Sequence, residues 1–261
     1  MISLSHYIST TTKIDGHIHL FDHTGILKSI PETDKVIGFM DIDIDNLDAY
    51  EHNDVIGYYD NYIQNAYNDN VTLLATGKDV QTMIDLYNKY TTVIKGFGEL
   101  KCYSRYKTHK NLPWGNLTWF DELCKFNEDK KLPIFIHWYV FNKSRQEQLH
   151  QLLLKYPTIP FVLCHCGMSP FRNYKRQYAY VCDLLLKHNN LYVDISYKPL
   201  TFFVKHPEYA HTLINKCIIG TDLNIKAVEN ESGKKYIDSF NKLNNMPLNY
   251  ETTVKKIFNT I

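Results

Sequence analysis

The 261-residue sequence lacks a long hydrophobic run, an excess of either charge and any glycine-rich phosphate-binding motif. Its most apolar window, Leu132 to Phe141, is far shorter than the ~20 residues that a membrane-spanning helix requires. The segment from Met1 to Lys13 is rich in Ser and Thr, and it has neither the basic start nor the apolar core of a secretory signal. These absences predict a soluble, cytoplasmic protein with no membrane segment.

The charged residues nearly cancel, with 29 Lys and Arg against 28 Asp and Glu and a formal net charge of +1. This balance gives no dominant attraction to nucleic acid, so we expect a small-molecule substrate and no nucleic-acid partner. The six cysteines are scattered through the chain without secretory context, which favours free thiols over a disulfide framework.

Short apolar runs alternate with stretches of helical composition along the sequence, and this alternation is typical of βα units. The runs predict eight strands: Ile14–Leu20, Lys35–Met40, Val71–Thr76, Val93–Leu100, Pro133–Trp138, Pro160–His165, Leu191–Ser196 and Cys217–Thr221. Helices are predicted at Val80–Tyr90, Trp119–Lys130, Ser144–Lys155, Tyr174–His188 and Glu208–Asn215, whereas Asp43 to Asn70 shows no clear pattern.

Eight strands over this length favour a closed α/β barrel over an open sheet, in which a glycine-rich turn often follows the first strand. No linker or repeat interrupts the chain, so we predict one (β/α)8 TIM-barrel domain over residues 1–261. Residues 226–261 predict one or two helices that pack on the barrel, with an interruption near Met246–Pro247.

The first predicted strand contains Asp15-Gly16-His17-Ile18-His19. Successive side chains of a strand alternate between its two faces, so His17 and His19 point to the same side. Two adjacent imidazoles are able to bind one metal ion. A His-x-His pair also arises by chance in a chain with 12 histidines, so the pair alone does not establish a site.

Three more ligand-type residues stand at the ends of other predicted strands. His137 lies near the end of the fifth, His165 ends the sixth and Asp222 follows the eighth. The C-terminal ends of all strands in a parallel barrel meet at one mouth, where the chemistry of this fold is placed. Each residue alone is also compatible with an ordinary role at the rim, but their shared position favours a metal site.

A His-x-His on the first strand, single histidines closing the fifth and sixth and an aspartate closing the eighth resemble the amidohydrolase superfamily. More narrowly, Val193-Asp194-Ile195-Ser196, His165-Cys166-Gly167 and Gly220-Thr221-Asp222 are similar to its amidohydrolase-2 branch, which contains hydrolases, lactonases and decarboxylases. The resemblance extends from Ile14 to Asn224. It implies a metal-dependent hydrolase of small-molecule amides, lactones or esters, with a non-oxidative decarboxylase as the alternative.

The fourth strand ends in Gly98-Glu99-Leu100-Lys101, where members of this superfamily often carry a carboxylate or a carbamylated lysine that bridges two metals. Glu99 is the candidate, Lys101 is the alternative, and a salt bridge at the mouth would explain Glu99 without a metal. Gly98-Glu99 also resembles the TatD-type deoxyribonucleases. However, Trp138-Tyr139-Val140 after His137, and Gly-Thr instead of Glu-Thr before Asp222, depart from that pattern.

The resemblance implies one or two divalent ions. Zinc is expected for a nitrogen-rich site, and manganese is the alternative if Glu99 makes the site dinuclear. The predicted ligands are His17, His19, Glu99, His137, His165 and Asp222. The resemblance further gives Asp222 the catalytic role of taking a proton from the attacking water.

Trp138, Tyr139, Arg172 and Tyr197 follow strands and are the candidates for substrate binding. Alternation along the sixth strand predicts that Cys164 and Cys166 point away from the side of His165 and only pack. A catalytically silent barrel that serves as a binding protein is a further alternative, which the complete set of ligand-type residues disfavours.

Overall fold

A computed structural model of the chain describes residues 14–20, 35–40, 52–65, 67, 69–77, 79–102, 117–140, 142–169, 173–211, 213–222, 238–243 and 250–258. Within these ranges no helix is both long enough and apolar enough to cross a membrane. All six cysteines lie in them and are free, which confirms the prediction of unpaired thiols.

Eight parallel strands form one sheet in which every strand pairs with the next one along the chain. They are β1 Ile14–Leu20, β2 Lys35–Met40, β3 Val71–Ala75, β4 Ile94–Lys101, β5 Ile134–His137, β6 Phe161–Leu163, β7 Leu191–Ile195 and β8 Cys217–Ile219. The sheet curls so that its first and last strands come together. The backbone hydrogen bond from the Asp222 N–H to the His17 carbonyl, at 2.8 Å, joins the two edges. The predicted TIM barrel is therefore confirmed.

Helices cover the outside of the strands: α1 His52–Asn65, α2 Val80–Lys89, α3 Leu117–Asn127, α4 Lys143–Lys155, α5 Tyr174–Lys187, α6 Lys198–Lys205, α7 Pro207–His211 and α8 Tyr250–Phe258. Residues 238–243 are also helical. Three helices begin at a side-chain cap, since Asp79, Asn142 and Asn173 each accept a backbone N–H three residues on.

Three helices differ from the sequence prediction. α1 lies in the segment that gave no pattern, and α6 was not predicted. The helix predicted over Glu208–Asn215 is wrong in its extent, because α7 covers only Pro207–His211 and residues 213–216 form a turn. α6 starts abruptly because Tyr197 adopts a left-handed conformation, with φ 56°, and Pro199 lies in the first turn.

The predicted strand Pro160–His165 is too long at its C-terminal end. β6 ends at Leu163 and continues as a 3-10 turn over Cys164–Gly167, in which His165 and Cys166 both have φ 54°. Strand alternation therefore does not apply beyond Leu163, and the orientation inferred from it for the two cysteines has no basis.

Aromatic rings fill the barrel beneath its mouth. The ring of Phe39 lies 4.5 Å from His17 and 5.3 Å from Phe135, measured between centroids. Phe135 in turn lies 6.3 Å from Phe258, so α8 packs against the end of this apolar layer. The layer excludes water below the histidines and leaves the C-terminal mouth as the side from which they are reached.

Candidate metal centre

Glu99 is the middle of a buried cluster at the C-terminal end of the barrel. One carboxylate oxygen, Oε1, lies 2.7 Å from Nδ1 of His137 and 3.2 Å from Nε2 of His165. The other oxygen, Oε2, lies 3.9 Å from Nε2 of His19. One oxygen of this carboxylate thus faces His137 and His165, which form one group of histidines. The other oxygen faces the group formed by His17 and His19.

Asp222 completes the group around β1. Its Oδ1 lies 3.1 Å from Nε2 of His19 and 3.4 Å from Nε2 of His17. Asp222 has φ 57°, which turns the chain just after β8 and carries the carboxylate over the end of β1. The backbone hydrogen bond from Asp222 to His17 fixes this position.

Two ligands bound to one ion at about 2.1 Å are separated by roughly 3–3.5 Å. The contacts of Asp222 with His19 and His17, at 3.1 and 3.4 Å, match this spacing, and so does the 3.2 Å contact between Glu99 and His165. The 2.7 Å contact between Glu99 and His137 is shorter. Two sets, His17–His19–Glu99 and Glu99–His137–His165, each bring one ligand atom per residue within 4.8 Å of the others. The structure thus brings all six predicted ligands together, and their binding of metal stays a prediction.

Several polar atoms of the cluster are buried without a hydrogen-bond partner in the part of the chain that the structure describes. They include Nε2 of His17, Oε1 of Glu99 and Nδ1 of His137; the last two lie 2.7 Å apart, but not in the geometry of a hydrogen bond. Unsatisfied buried polar atoms are costly, and a cation shared between imidazole and carboxylate atoms removes that cost. The residues present therefore fit a divalent metal.

Asp194 in β7 and Ser196, just after β7, contact two of the predicted ligand histidines on their Nδ1 side. Asp194 Oδ2 lies 2.6 Å from Nδ1 of His17, and Ser196 Oγ lies 2.9 Å from Nδ1 of His165. Such contacts fix the ring orientation and leave Nε2 of both rings toward the centre. Sequence analysis assigned no role to either residue, although their spacing of two places both on the side that faces the barrel interior.

Asp15 is a further residue that sequence analysis left without a role. It is fully buried, and its Oδ1 accepts the N–H groups of His17 at 3.1 Å and Thr221 at 2.9 Å. Its Oδ2 accepts the Thr221 hydroxyl at 2.7 Å. One carboxylate of β1 therefore holds both the His-x-His segment and the residue that precedes Asp222.

The electrostatics of the cluster keep both carboxylates ionised. Burial opposes ionisation of Asp222, but the charge of His165, a hydrogen bond from His19 and further histidine charges lower its pKa. The pKa of Glu99 is likewise well below its usual range, because His137 and His165 outweigh burial. Ionised carboxylates are the form that binds a cation.

The histidines behave differently from one another. Burial lowers the pKa of His17, but the neighbouring Asp194 outweighs burial and raises that pKa to about 10. For His137 burial prevails and the pKa is lowered, although Glu99 opposes the shift; the positive charges of His165 and Lys101 add to the lowering.

Two of the predicted substrate-binding residues stand beside the ligands. The ring of Tyr139 lies 4.7 Å from that of His137, and the ring of Tyr197 lies 5.9 Å from that of His165. Burial, aided by the charges of Glu99 and Asp222, raises the pKa of Tyr139. Its phenol is therefore a neutral group at the edge of the centre.

The other two candidates have different outcomes. Trp138 is 1% exposed, its indole N–H donates to the Arg145 carbonyl at 3.1 Å, and its ring packs edge-on against Phe120. It packs beneath α3 and α4, so its assignment to the substrate pocket is wrong: the strand ends at His137, and Trp138 turns outward. Arg172 lies outside the described residues.

Cys164 also differs from its prediction. Its Sγ lies within 4.8 Å of a ring nitrogen of His17 and a carboxylate oxygen of Asp194, so the thiol points toward this pair. The prediction that it points away is wrong, because β6 ends before it. Burial raises the pKa of this thiol well above its usual range, which leaves it protonated.

A scan of the sequence against protein-family models finds no match, and a search of curated proteins finds none either. Solved structures with the same fold include an amidohydrolase from Burkholderia multivorans with bound zinc, at TM-score 0.59 and 8% identity, covering 96% of this chain and 100% of that one. A dihydroorotase from Campylobacter jejuni aligns at TM-score 0.54 and 15% identity, over 97% and 84% of the two chains.

A probable 2-pyrone-4,6-dicarboxylic acid hydrolase from Acinetobacter baumannii, with citric acid bound, aligns at TM-score 0.51 and 15% identity. The alignment covers 95% of this chain and 100% of that one. At these identities the comparisons establish the shared barrel fold.

Proposed function

We propose that this protein is a metal-dependent hydrolase that acts on a small-molecule amide, lactone or ester. The observation that carries the proposal is Glu99, whose two carboxylate oxygens face separate groups of histidines in one buried cluster. A carboxylate in that position is suited to bridge two ions. The hydrolase names of the structural neighbours, one of them with bound zinc, support the proposal.

A bound divalent cation supplies a Lewis acid that polarises a carbonyl group and makes a water molecule more acidic. His17, His19 and Asp222 would hold one ion, His137 and His165 the other, and Glu99 both. The nitrogen-rich donor set favours zinc, and manganese is the alternative for two ions. The six free cysteines support a reducing compartment such as the cytoplasm.

Asp222 is the residue that we expect to move the proton. It is ionised, 7% exposed, and its two oxygens reach toward histidines of both groups. An ionised carboxylate in this position accepts a proton from the attacking water and returns it to the leaving group. Asp194 and Ser196 keep the rings of His17 and His165 oriented throughout.

The test is a screen of zinc- and manganese-loaded protein against amides, lactones and esters, in which a pH indicator follows acid release from lactones and esters and an amine-specific colour reaction follows amine release from amides. We expect turnover that chelation abolishes and metal restores. Asp222→Asn should lower turnover by about 10²–10⁴-fold, the range for loss of a proton-transferring group. Asp183→Asn, which alters an exposed carboxylate of α5, is the matched control and should change nothing.

Two outcomes would contradict the proposal. Turnover that survives chelation or Asp222→Asn would show that the cluster is not the active centre. Carbon dioxide release from carboxylic acids, without hydrolysis of any compound in the screen, would instead establish the decarboxylase on the same centre.

A further inference from the structure

Lys101 ends β4, two residues beyond Glu99. In the register between β4 and β5, Lys101 is the partner of His137. Paired residues on neighbouring parallel strands direct their side chains to the same side of the sheet. Since His137 reaches Glu99 inside the barrel, Lys101 also takes the inner side, at the mouth.

Among the described residues, no carboxylate balances the charge of this lysine. Lys101 is half-buried, and no carboxylate of the described residues forms an ion pair with it. Glu99, the nearest acidic residue along its strand, is already contacted by His137 and His165. A half-buried ammonium group at the barrel mouth that forms no ion pair among the described residues is suited to bind an anion.

We propose that Lys101 binds an anionic substituent of the substrate, a carboxylate or a phosphate, next to the bond that is cleaved. This inference rests on the proposed hydrolase function and narrows its substrate class to amides, lactones or esters that carry an acid group. The neutral phenol of Tyr139, beside His137, lies on the same wall of the mouth. The rival role for Lys101 is a carbamylated metal ligand, which the test separates.

The experiment uses the full-length, zinc-loaded protein and three probes of matched length. Propionate carries one anionic group, whereas succinate and 3-phosphonopropionate each carry a second one, a carboxylate or a phosphonate. Dissociation constants are measured by titration calorimetry and metal content by plasma mass spectrometry. The variants are Lys101→Met and Lys101→Arg, with Lys95→Met as the matched control on the exposed, opposite end of β4.

We expect the wild type to bind at least one of the doubly anionic probes about 10–100-fold more tightly than propionate, the range for one charge-assisted hydrogen bond. Lys101→Met should lose this preference and keep its metal. Lys95→Met should behave as the wild type, and Lys101→Arg should retain part of the preference. The preferred probe shows whether the group is a carboxylate or a phosphate.

Unchanged probe binding in Lys101→Met would overturn the inference. A drop in its metal content would also overturn it, in favour of a carbamylated ligand. If the wild type itself takes up no metal, the proposed hydrolase function fails. The same titrations on metal-free protein then decide the anion site: loss of the preference in Lys101→Met supports it, and unchanged binding overturns it.

Discussion

At the scale of single residues, the least obvious contribution to the centre comes from Asp194. Its Oδ2 lies 2.6 Å from Nδ1 of His17, whereas Asp222 lies near Nε2 of the same ring, and both Asp194 and His17 are fully buried. A carboxylate that contacts the non-ligating nitrogen of a ligand histidine fixes the orientation of the ring and raises its basicity as a metal ligand. Asp194 should therefore set metal affinity without touching the metal.

We predict that Asp194→Asn lowers the affinity for zinc by about 10–100-fold, because the amide neither carries the charge nor holds the ring as firmly. The measurement is competition between the protein and a chelator of known affinity. Asp183→Asn on the surface of α5 provides the control and should bind zinc as the wild type does. Equal affinities in all three proteins would refute the role of Asp194.

The sequence predicted the six clustered ligands because each belongs to or directly follows a recognisable strand, and strand ends converge in a parallel barrel. Position near a strand end, by contrast, misplaced Trp138, and alternation of side chains along a strand misplaced Cys164. β5 ends at His137 and β6 at Leu163, so alternation no longer governs the residues that follow. Asp194 belonged to the quoted Val193-Asp194-Ile195-Ser196 motif but received no role, because a single carboxylate within an apolar strand does not indicate which residue it contacts.

At the scale of elements, the junction of β8 with β1 places the first group of ligands. Gly220 follows β8, and a Cβ atom there would lie 2.5 Å from both the Cβ and the backbone nitrogen of His17. Asp15 ties the same junction through Thr221. The close approach of the two chains therefore requires a residue without a side chain.

We predict that Gly220→Ala destabilises the protein by about 1–3 kcal/mol, because overpacking pushes the end of β8 away from β1. Since this shift separates Asp222 from His17 and His19, zinc affinity should fall as well. Thermal unfolding and chelator competition measure the two effects.

Gly57→Ala is the matched control for this prediction. No atom lies within 4 Å of a Cβ built on Gly57, which stands inside α1. There the same substitution should raise stability by about 0.5–1 kcal/mol. Equal effects of the two substitutions would show that the junction is not sterically constrained.

The strands could be predicted from the sequence more closely than the helices. Buried apolar runs bounded by polar residues define β1 and β2 at their observed bounds. α6 escaped prediction because it starts from the left-handed Tyr197, a conformation that no local pattern of the sequence indicates. α1 carries apolar and polar residues without a clear boundary at either end.

At the scale of the whole molecule, the barrel brings together residues that are far apart in the chain. His17 and Asp222 stand at the two ends of the sheet order and meet only because the sheet closes. The apolar layer of Phe39 and Phe135 closes the barrel beneath them, so the centre is reached from the mouth. Two carboxylates and four histidines in such a setting fit the proposed pair of divalent cations.

The central claim is therefore a centre of two metal ions that share Glu99. The direct measurement is plasma mass spectrometry of zinc-loaded wild type, Glu99→Gln and, as the control, the exposed surface variant Glu122→Gln. The account predicts two equivalents of metal in the wild type and in Glu122→Gln, and a fall toward one or less in Glu99→Gln. One equivalent that Glu99→Gln leaves unchanged, or no metal under loading conditions, would contradict it.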